Sequence, residues 1–153
     1  MTIDLLPTFA KLTGAPLPDH RIDGKDIWPL LSGDPNAKSP HDAYWIYYAQ
    51  NELQAIISGQ WKLILPHTYR SLNGRKGGTG GIPVPYEPLK TELQLFDLYA
   101  DVSETKDVAA EHSDIVAKLQ SYAEEARAEL GDNLTKRKGT GNREPGRIEK
   151  KSE

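Results

Sequence analysis

The chain has 153 residues, the size of one ordinary domain, and a net charge of -3. A balance this close to neutral gives no reason to expect a nucleic-acid partner. The sequence contains no cysteine, which excludes disulfides, thiolate metal ligands and a cysteine nucleophile. No run approaches the roughly 18 apolar residues that a membrane span needs.

The first predicted element is a helix of about ten residues at the start of the chain. Thr2 or Asp4 is a suitable N-cap, Gly14 a suitable end, and the apolar residues recur at helical spacing: Leu5, Leu6, Phe9 and Leu12. No basic stretch precedes it, so it does not read as a signal peptide. A short amphipathic helix needs a surface to pack on. We therefore expect it to pack against a segment outside this chain.

The following elements predict an α+β fold. Residues 14–42 are rich in Gly and Pro and predict turns, with one helical turn at residues 27–31. Four strands are then predicted, at residues 43–49, 53–58, 61–66 and 93–98. The strongest helix is predicted over residues 113–130, with Ser113 as N-cap and Gly131 as the stop. Short connections between the first three strands favour a small, mostly antiparallel sheet packed against the long C-terminal helix.

Two segments fall outside this pattern. Residues 66–90 predict a long loop rich in Gly and Pro, and a loop of this length is usually functional or disordered. From Asp132 onward the chain carries seven Lys/Arg and four Asp/Glu, with Leu134 and Ile148 as its only large apolar residues. So little apolar surface does not offset the entropy cost of ordering. Residues 132–153 therefore predict a disordered basic tail.

Three stretches in this order resemble the sulfatases of the alkaline-phosphatase-like superfamily. The first is DLLPT at residues 4–8 with LTGAPLP at 12–18, and the second is IDGKDIWPLLSG at 22–33. The third is GQWKLI at 59–64 followed by ELQLFDLY at 92–99. One departure is Val102 after Asp101, where the family has Asp-Pro. The resemblance covers about residues 2–130.

The resemblance implies a division of the chain. Residues 1–42 would be the C-terminal end of an α/β catalytic domain whose remainder is missing, and residues 43–131 the C-terminal sulfatase subdomain. It also implies calcium and a formylglycine made from Cys or Ser in a C/S-x-P-x-R motif. The chain contains no such motif and no Asp-Asp or Asp-x-Asp group to collect calcium. We therefore expect no catalytic residue, cofactor or metal ligand here, and no activity from the chain alone.

Candidate substrate contacts lie at the start of the long loop, because sulfatase C-terminal subdomains often lend loops to the pocket rim. The residues are His67, Tyr69 and Arg70. An imidazole and a guanidinium are suited to sulfate or sugar oxygens, and a phenol ring can stack on a sugar or aryl group. A wider polar group extends this set, namely Asn73, Arg75, Lys76 and the glycine-rich residues 77–81.

The leading hypothesis is thus the C-terminal portion of a sulfuric-ester hydrolase, with the missing N-terminal domain and a sulfated small molecule or glycan as partners. The resemblance implies a periplasmic or secreted parent protein, although no residue of the chain indicates the compartment. Two alternatives remain open. One is a self-standing carbohydrate-binding or interaction module, and the other is a fragment of a related phosphodiesterase or phosphonate hydrolase.

Overall fold

The structure, a computed structural model, describes residues 1–144. It contains two compact units, Met1–Asp42 and a second that begins at Ala43. No helix within the described residues is long and apolar enough to cross a membrane.

The first unit is built on one helix. A 3-10 turn at Thr2–Asp4 leads directly into α1, Leu5–Thr13, and a one-turn helix α2 follows at Trp28–Leu31. Gly14 ends α1 in the left-handed region at φ 70°, as its position in the sequence predicts. The rest of the unit is irregular, in keeping with its Gly and Pro content.

The first unit buries two polar side chains beside Pro7 and Ala10. Asp4 and Thr8 are completely buried, and the Asp4 carboxylate accepts hydrogen bonds from the His41 Nε2 (2.7 Å) and the Lys25 amide (2.8 Å). The Thr8 hydroxyl donates to the Asp4 carbonyl (2.6 Å) and accepts from the Ile27 amide (3.0 Å). Asp4 occupies the N-cap position of α1, but its side chain makes no capping bond. The carboxylate instead ties the helix to residues 25 and 41.

Gly24 has a steric reason to be glycine. A Cβ at this position would lie 1.9 Å from the Ile3 carbonyl oxygen, a distance that no side chain tolerates. The Asp-Gly pair of the second sulfatase-like stretch therefore marks the point where the chain passes against the start of α1.

The second unit contains the predicted sheet. Strands β1 (Tyr44–Tyr48), β2 (Glu52–Ser58), β3 (Trp61–Ile64) and β6 (Gln94–Asp97) form an antiparallel sheet in the order β1-β2-β3-β6. Helix α3, Ser113–Leu130, packs against β2 and β3. The predicted α+β fold, with four strands against a long helix, is confirmed. The N-cap of α3 is His112 rather than the predicted Ser113, whereas Gly131 ends the helix as predicted.

The core of the second unit lies between this sheet and α3. Ile56 pairs with Leu63 and Leu63 with Leu95, so three completely buried side chains form one row across the sheet. They join a cluster with the helix residues Leu119, Ala123 and Ala126. Burying one such aliphatic side chain contributes about 1.5–3 kcal/mol. The unit therefore has a conventional apolar interior.

The segment after α3 corrects the prediction of a disordered tail. Strands β7 (Gly131–Asp132) and β8 (Arg137–Lys138) form a short antiparallel ladder. The buried Asp132 carboxylate accepts from the Arg127 Nε (2.9 Å) and from the amides of Leu134 (3.0 Å) and Leu53 (3.3 Å). A polar network thus orders this segment, and the prediction of disorder is wrong at the ladder. Residues 145–153 of the predicted tail lie outside the described residues.

Tyr47 connects this network to the sheet. Its hydroxyl group lies 3.0 Å from the Ala126 carbonyl and 2.8 Å from the Gly131 carbonyl, two groups at the end of α3. Burial and the negative charge of Asp132 raise the pKa of Tyr47 to about 12. The phenol therefore stays protonated and can donate a hydrogen bond at the end of α3, where the Gly131 carbonyl lies beyond the last helical residue.

Candidate functional site

The predicted long loop contains a β-hairpin. Strand β4 (His67–Ser71) pairs antiparallel with β5 (Glu87–Thr91), so the interpretation of residues 66–90 as one loop is wrong at its two ends. The strands are hard to recognise because His-Thr-Tyr-Arg-Ser and Glu-Pro-Leu-Lys-Thr lack an apolar alternation. Pro88 also argues against a strand, yet proline is tolerated where a strand has a free edge. β5 pairs only with β4, so one of its edges makes no ladder.

His67 and Tyr69 lie on one side of β4. The His67 Nδ1 is 2.6 Å from the Leu65 carbonyl oxygen, so Nδ1 carries the proton and donates. The Nε2 of the neutral ring is thereby left as an acceptor. The Tyr69 ring packs edge-on against the His67 ring, with 6.3 Å between the two ring centroids. Tyr69 remains exposed. The pair presents an imidazole nitrogen beside an accessible aromatic surface.

Arg70 lies on the opposite side of the same strand. Successive side chains of a strand point to opposite faces, so residues 67, 69 and 71 share one face and residues 68 and 70 the other. The three predicted contact residues are therefore adjacent in the chain but do not form a single cluster. Their role in substrate binding stays a prediction.

The wider polar group is largely occupied in structural bonds. Arg75 donates to the carbonyls of Leu72 (3.1 Å) and Pro85 (2.8 Å) and pairs with Glu87 at 3.3 Å. Asn73 donates to the same Glu87 carboxylate at 2.9 Å. These two side chains hold the ends of the loop between β4 and β5 together, which is a structural rather than a ligand-binding use.

The glycine-rich run has a local structural reason as well. A Cβ at Gly78 would lie 1.7 Å from the Ile82 carbonyl oxygen, so the loop backbone folds tightly back on itself here. The glycine allows this close approach. Nothing about it requires a ligand.

Sequence reasoning missed Lys90. Its Cα pairs with that of Thr68 across the hairpin, which places Lys90 on the same face as Arg70. Lys90 is the last residue of the predicted loop, and a basic residue at such a position does not by itself indicate a binding role. Only the strand register brings it next to Arg70.

The remaining charged groups do not form a metal site. Within residues 1–144 there is no group of three or more His, Asp or Glu side chains placed to hold an ion. Two of the histidines have structural partners: His41 binds the Asp4 carboxylate, and His112 packs on Trp61 at 4.8 Å between ring centroids. The described residues therefore do not fit the calcium ion that the sulfatase resemblance implies.

Three relatives cover most of the chain. It is 29% identical over 138 residues to an uncharacterized sulfatase of Schizosaccharomyces pombe, a match that spans 84% of this chain and 21% of that protein. It is 30% identical over 143 residues to steryl-sulfatase of Mus musculus, a match that spans 84% of this chain and 22% of that protein. It is 31% identical over 125 residues to N-acetylgalactosamine-6-O-sulfatase of Bacteroides thetaiotaomicron, a match that spans 80% of this chain and 22% of that protein.

One solved structure also matches the fold. It is described with the metabolism of multiple glycosaminoglycans by Bacteroides thetaiotaomicron, and it superposes with a TM-score of 0.55 at 26% identity. The match covers 81% of this chain and 24% of that one. No protein-family model matches the chain.

The chain is related to the sulfatases over most of its length, and the resemblance predicted from its motifs is confirmed. It spans only 21–22% of the length of these curated relatives. Such a share is consistent with the C-terminal part of a sulfatase.

Proposed function

We propose that this chain is the C-terminal portion of a sulfuric-ester hydrolase, where it completes the fold of the enzyme and contributes the β4–β5 hairpin to the rim of the substrate pocket. The sulfatase relatives support the class of enzyme. The names of these relatives include both a steryl-sulfatase and a sugar sulfatase, so the proposed substrate is a sulfated small molecule or glycan.

The observation that carries the proposal is the exposure of most large apolar side chains of the first unit. Asp4 and Thr8 are completely buried, whereas Leu6 and Phe9 are each 55% exposed. Other large apolar side chains of this unit are also exposed, namely Ile3, Leu5, Leu12, Trp28 and Leu31. A contiguous apolar helix face is rarely left in water and marks a surface that packs on another protein part. In this proposal that part is the catalytic domain.

The chemistry of the reaction belongs, in this proposal, to the rest of the protein. A sulfatase nucleophile is formylglycine made from Cys or Ser in C/S-x-P-x-R, and this chain has no such motif. The described carboxylates do not converge on a site for calcium. We therefore derive no catalytic step from these residues, and we expect no turnover of a sulfate ester by the chain alone.

The proposed contribution of the hairpin rests on His67 and Tyr69. The Leu65 carbonyl fixes the Nδ1 proton of His67, so its Nε2 is oriented to accept a hydrogen bond from a hydroxyl group of the substrate. The exposed ring of Tyr69 offers a stacking surface beside it. Both groups bind and orient a substrate, and neither acts on the sulfur atom.

The first test is to sequence the coding DNA upstream of Met1 and to express this chain together with any in-frame upstream sequence. We expect an in-frame extension that encodes C/S-x-P-x-R and a product that hydrolyses 4-nitrophenyl sulfate or a sulfated sugar. The 153-residue chain, assayed in parallel, should hydrolyse neither. A stop codon and ribosome-binding site directly before Met1 would contradict the proposal.

A second test uses the chain itself. We expect it to bind an apolar fluorescent dye, and we expect Leu6→Lys and Phe9→Lys to remove most of that signal because they charge the exposed face of α1. Val102→Lys is the matched control, since Val102 is 82% exposed and lies in the other unit. A compact chain that binds no dye, or a signal equally sensitive to Val102→Lys, would count against the docking face.

A further inference from the structure

The solvent face of the β4–β5 hairpin carries two cations and a hydroxyl group. Thr68 and Lys90 are directly opposite each other, and Arg70 is opposite Pro88, one step of the ladder away. All four residues are exposed, whereas His67 and Leu89 on the other face are partly buried. The two faces of the hairpin therefore differ in chemistry as well as in exposure.

Arg70 and Lys90 are close enough to share one ligand. They are diagonal neighbours on one face, a relation that places such residues about 7–8 Å apart at the backbone, within reach of long side chains. Thr68 is on the same face, opposite Lys90 and two residues before Arg70. One small anion can therefore contact all three groups.

Neither cation has an ionic partner within residues 1–144. In the part of the chain that the structure describes, the side chains of Arg70 and Lys90 make no ion pair or hydrogen bond, and neither does the Thr68 hydroxyl. The carboxylate within the hairpin strands, Glu87, pairs with Ser71 on the other face and is bound by Arg75 and Asn73, and Glu92 follows the end of β5. The like charges on this face repel each other, and no acidic residue of the hairpin offsets that cost.

The donor set fits an oxyanion. A guanidinium presents a planar fork to two oxygens, an ammonium adds a mobile point charge, and a hydroxyl group adds a third donor. Sulfate and carboxylate groups both satisfy such a set. A neutral sugar or a steroid ring system does not, because it leaves both charges without a counter-ion.

We propose that Arg70, Lys90 and Thr68 bind a sulfate or carboxylate group of the substrate other than the ester that is hydrolysed. The proposal rests on the proposed sulfatase function, in which the reacting ester meets a nucleophile supplied by the rest of the protein. It names the substrate class as a glycan with at least two anionic groups. It also adds Lys90 and Thr68 as specificity-determining residues.

The experiment is a titration of the 153-residue chain followed by amide shifts in ¹⁵N NMR spectra. The probes are sodium sulfate, sodium acetate, glucosamine bearing two sulfate groups, and N-acetylglucosamine as the neutral control. We expect saturable shifts in β4 and β5 with midpoints of about 1 mM or weaker for the simple ions and tighter binding for the disulfated sugar. The ratio of sulfate to acetate binding distinguishes the two anion chemistries.

Matched variants locate the site. Arg70→Gln and Lys90→Gln should each weaken binding of the disulfated sugar about tenfold, the effect of losing one charged hydrogen bond. Lys118→Gln removes a charge from the exposed surface of α3 and should change nothing. Unshifted amides elsewhere in each variant show that the fold is retained.

Two results would overturn the inference. One is the absence of saturable shifts in β4 and β5 of the wild-type chain with any anion. The other is equal weakening by Lys118→Gln and Lys90→Gln, which would indicate a general charge effect. These outcomes are separate from the upstream reading frame and the dye assay, so the inference can fail while the proposed sulfatase function stands.

Discussion

The two units of this chain differ in where their large apolar side chains lie. The second unit encloses an apolar row, Ile56, Leu63 and Leu95, beneath α3. The first unit encloses Asp4 and Thr8 and exposes the leucines and phenylalanine of α1. The second unit therefore holds an apolar core of its own, whereas hydrogen bonds of Asp4 and Thr8 join the segments of the first unit and most of its large apolar side chains stay exposed. Four measurements can break or sharpen this contrast.

The largest expected effect is in the apolar core. Leu63→Ala should lower the free energy of unfolding of the second unit by about 3 kcal/mol, because it removes a completely buried side chain and leaves a cavity. Denaturant unfolding followed by tryptophan fluorescence measures this. A loss below about 1 kcal/mol would show that the sheet and α3 are not closely packed.

The next effect tests the polar network behind α3. Asp132→Asn should lower the free energy of unfolding by about 2 kcal/mol, because it removes the charge that pairs with Arg127 and disturbs two amide donors. Asp114→Asn, an exposed carboxylate at the start of α3, is the control. Equal effects of the two variants would show that the buried network adds nothing.

An effect of similar size concerns pH and the first unit. Burial acts to raise the pKa of Asp4, but hydrogen bonds from the N-terminal ammonium group, the Lys25 amide and His41 outweigh it and lower the pKa to about 2. A carboxyl group with a depressed pKa stabilises the fold above its unfolded value, 3.8, and loses that contribution as the pH falls towards 2.

We therefore expect the free energy of unfolding of the first unit to fall by about 2 kcal/mol between pH 5 and pH 2 through Asp4 alone. The exchange rates of α1 amides across this range report it. Asp4→Asn should flatten this part of the profile, and an unchanged slope in that variant would assign the pH dependence to other groups.

The smallest expected effect completes the contrast. Phe9→Ala in the first unit should change the free energy of unfolding by no more than about 0.5 kcal/mol, because its side chain is already 55% exposed. The same amide-exchange measurement applies. A loss comparable to that of Leu63→Ala would mean that Phe9 is buried in solution.

Much of the second unit was predictable because its signals are local. The strands β1, β2 and β3 follow one another through short turns, and α3 carries a helical apolar repeat that ends at Gly131. The apolar repeat of α1 predicted the helix but not which of its residues are buried. Asp4 and Thr8 lie inside because they bind His41 and the Ile27 amide, partners that are distant in sequence.

The hairpin and the last ladder were missed for a related reason. The pairing of Tyr69 with Leu89 joins strands separated by a long loop, and neither strand has an apolar alternation. Asp132 is buried and pairs with the partly buried, charged Arg127. From composition alone, charged residues such as these are expected to be exposed to solvent. The candidate site shows the limit most clearly. His67, Tyr69 and Arg70 were identified as neighbours in sequence, but the division of their side chains between two faces follows from the strand, and Lys90 follows from its register.

The alternation of side chains in β4 also bears on how specificity can evolve. A single residue inserted before His67 would shift the pairing by one position and exchange the two faces of the strand. The aromatic and imidazole groups would then occupy the outer side, and Arg70 the inner side. In the proposed substrate-binding role, an indel can thus exchange an aromatic contact for a cationic one without replacing either residue. The length of this hairpin then bears on ligand preference as much as the identity of the residues it carries.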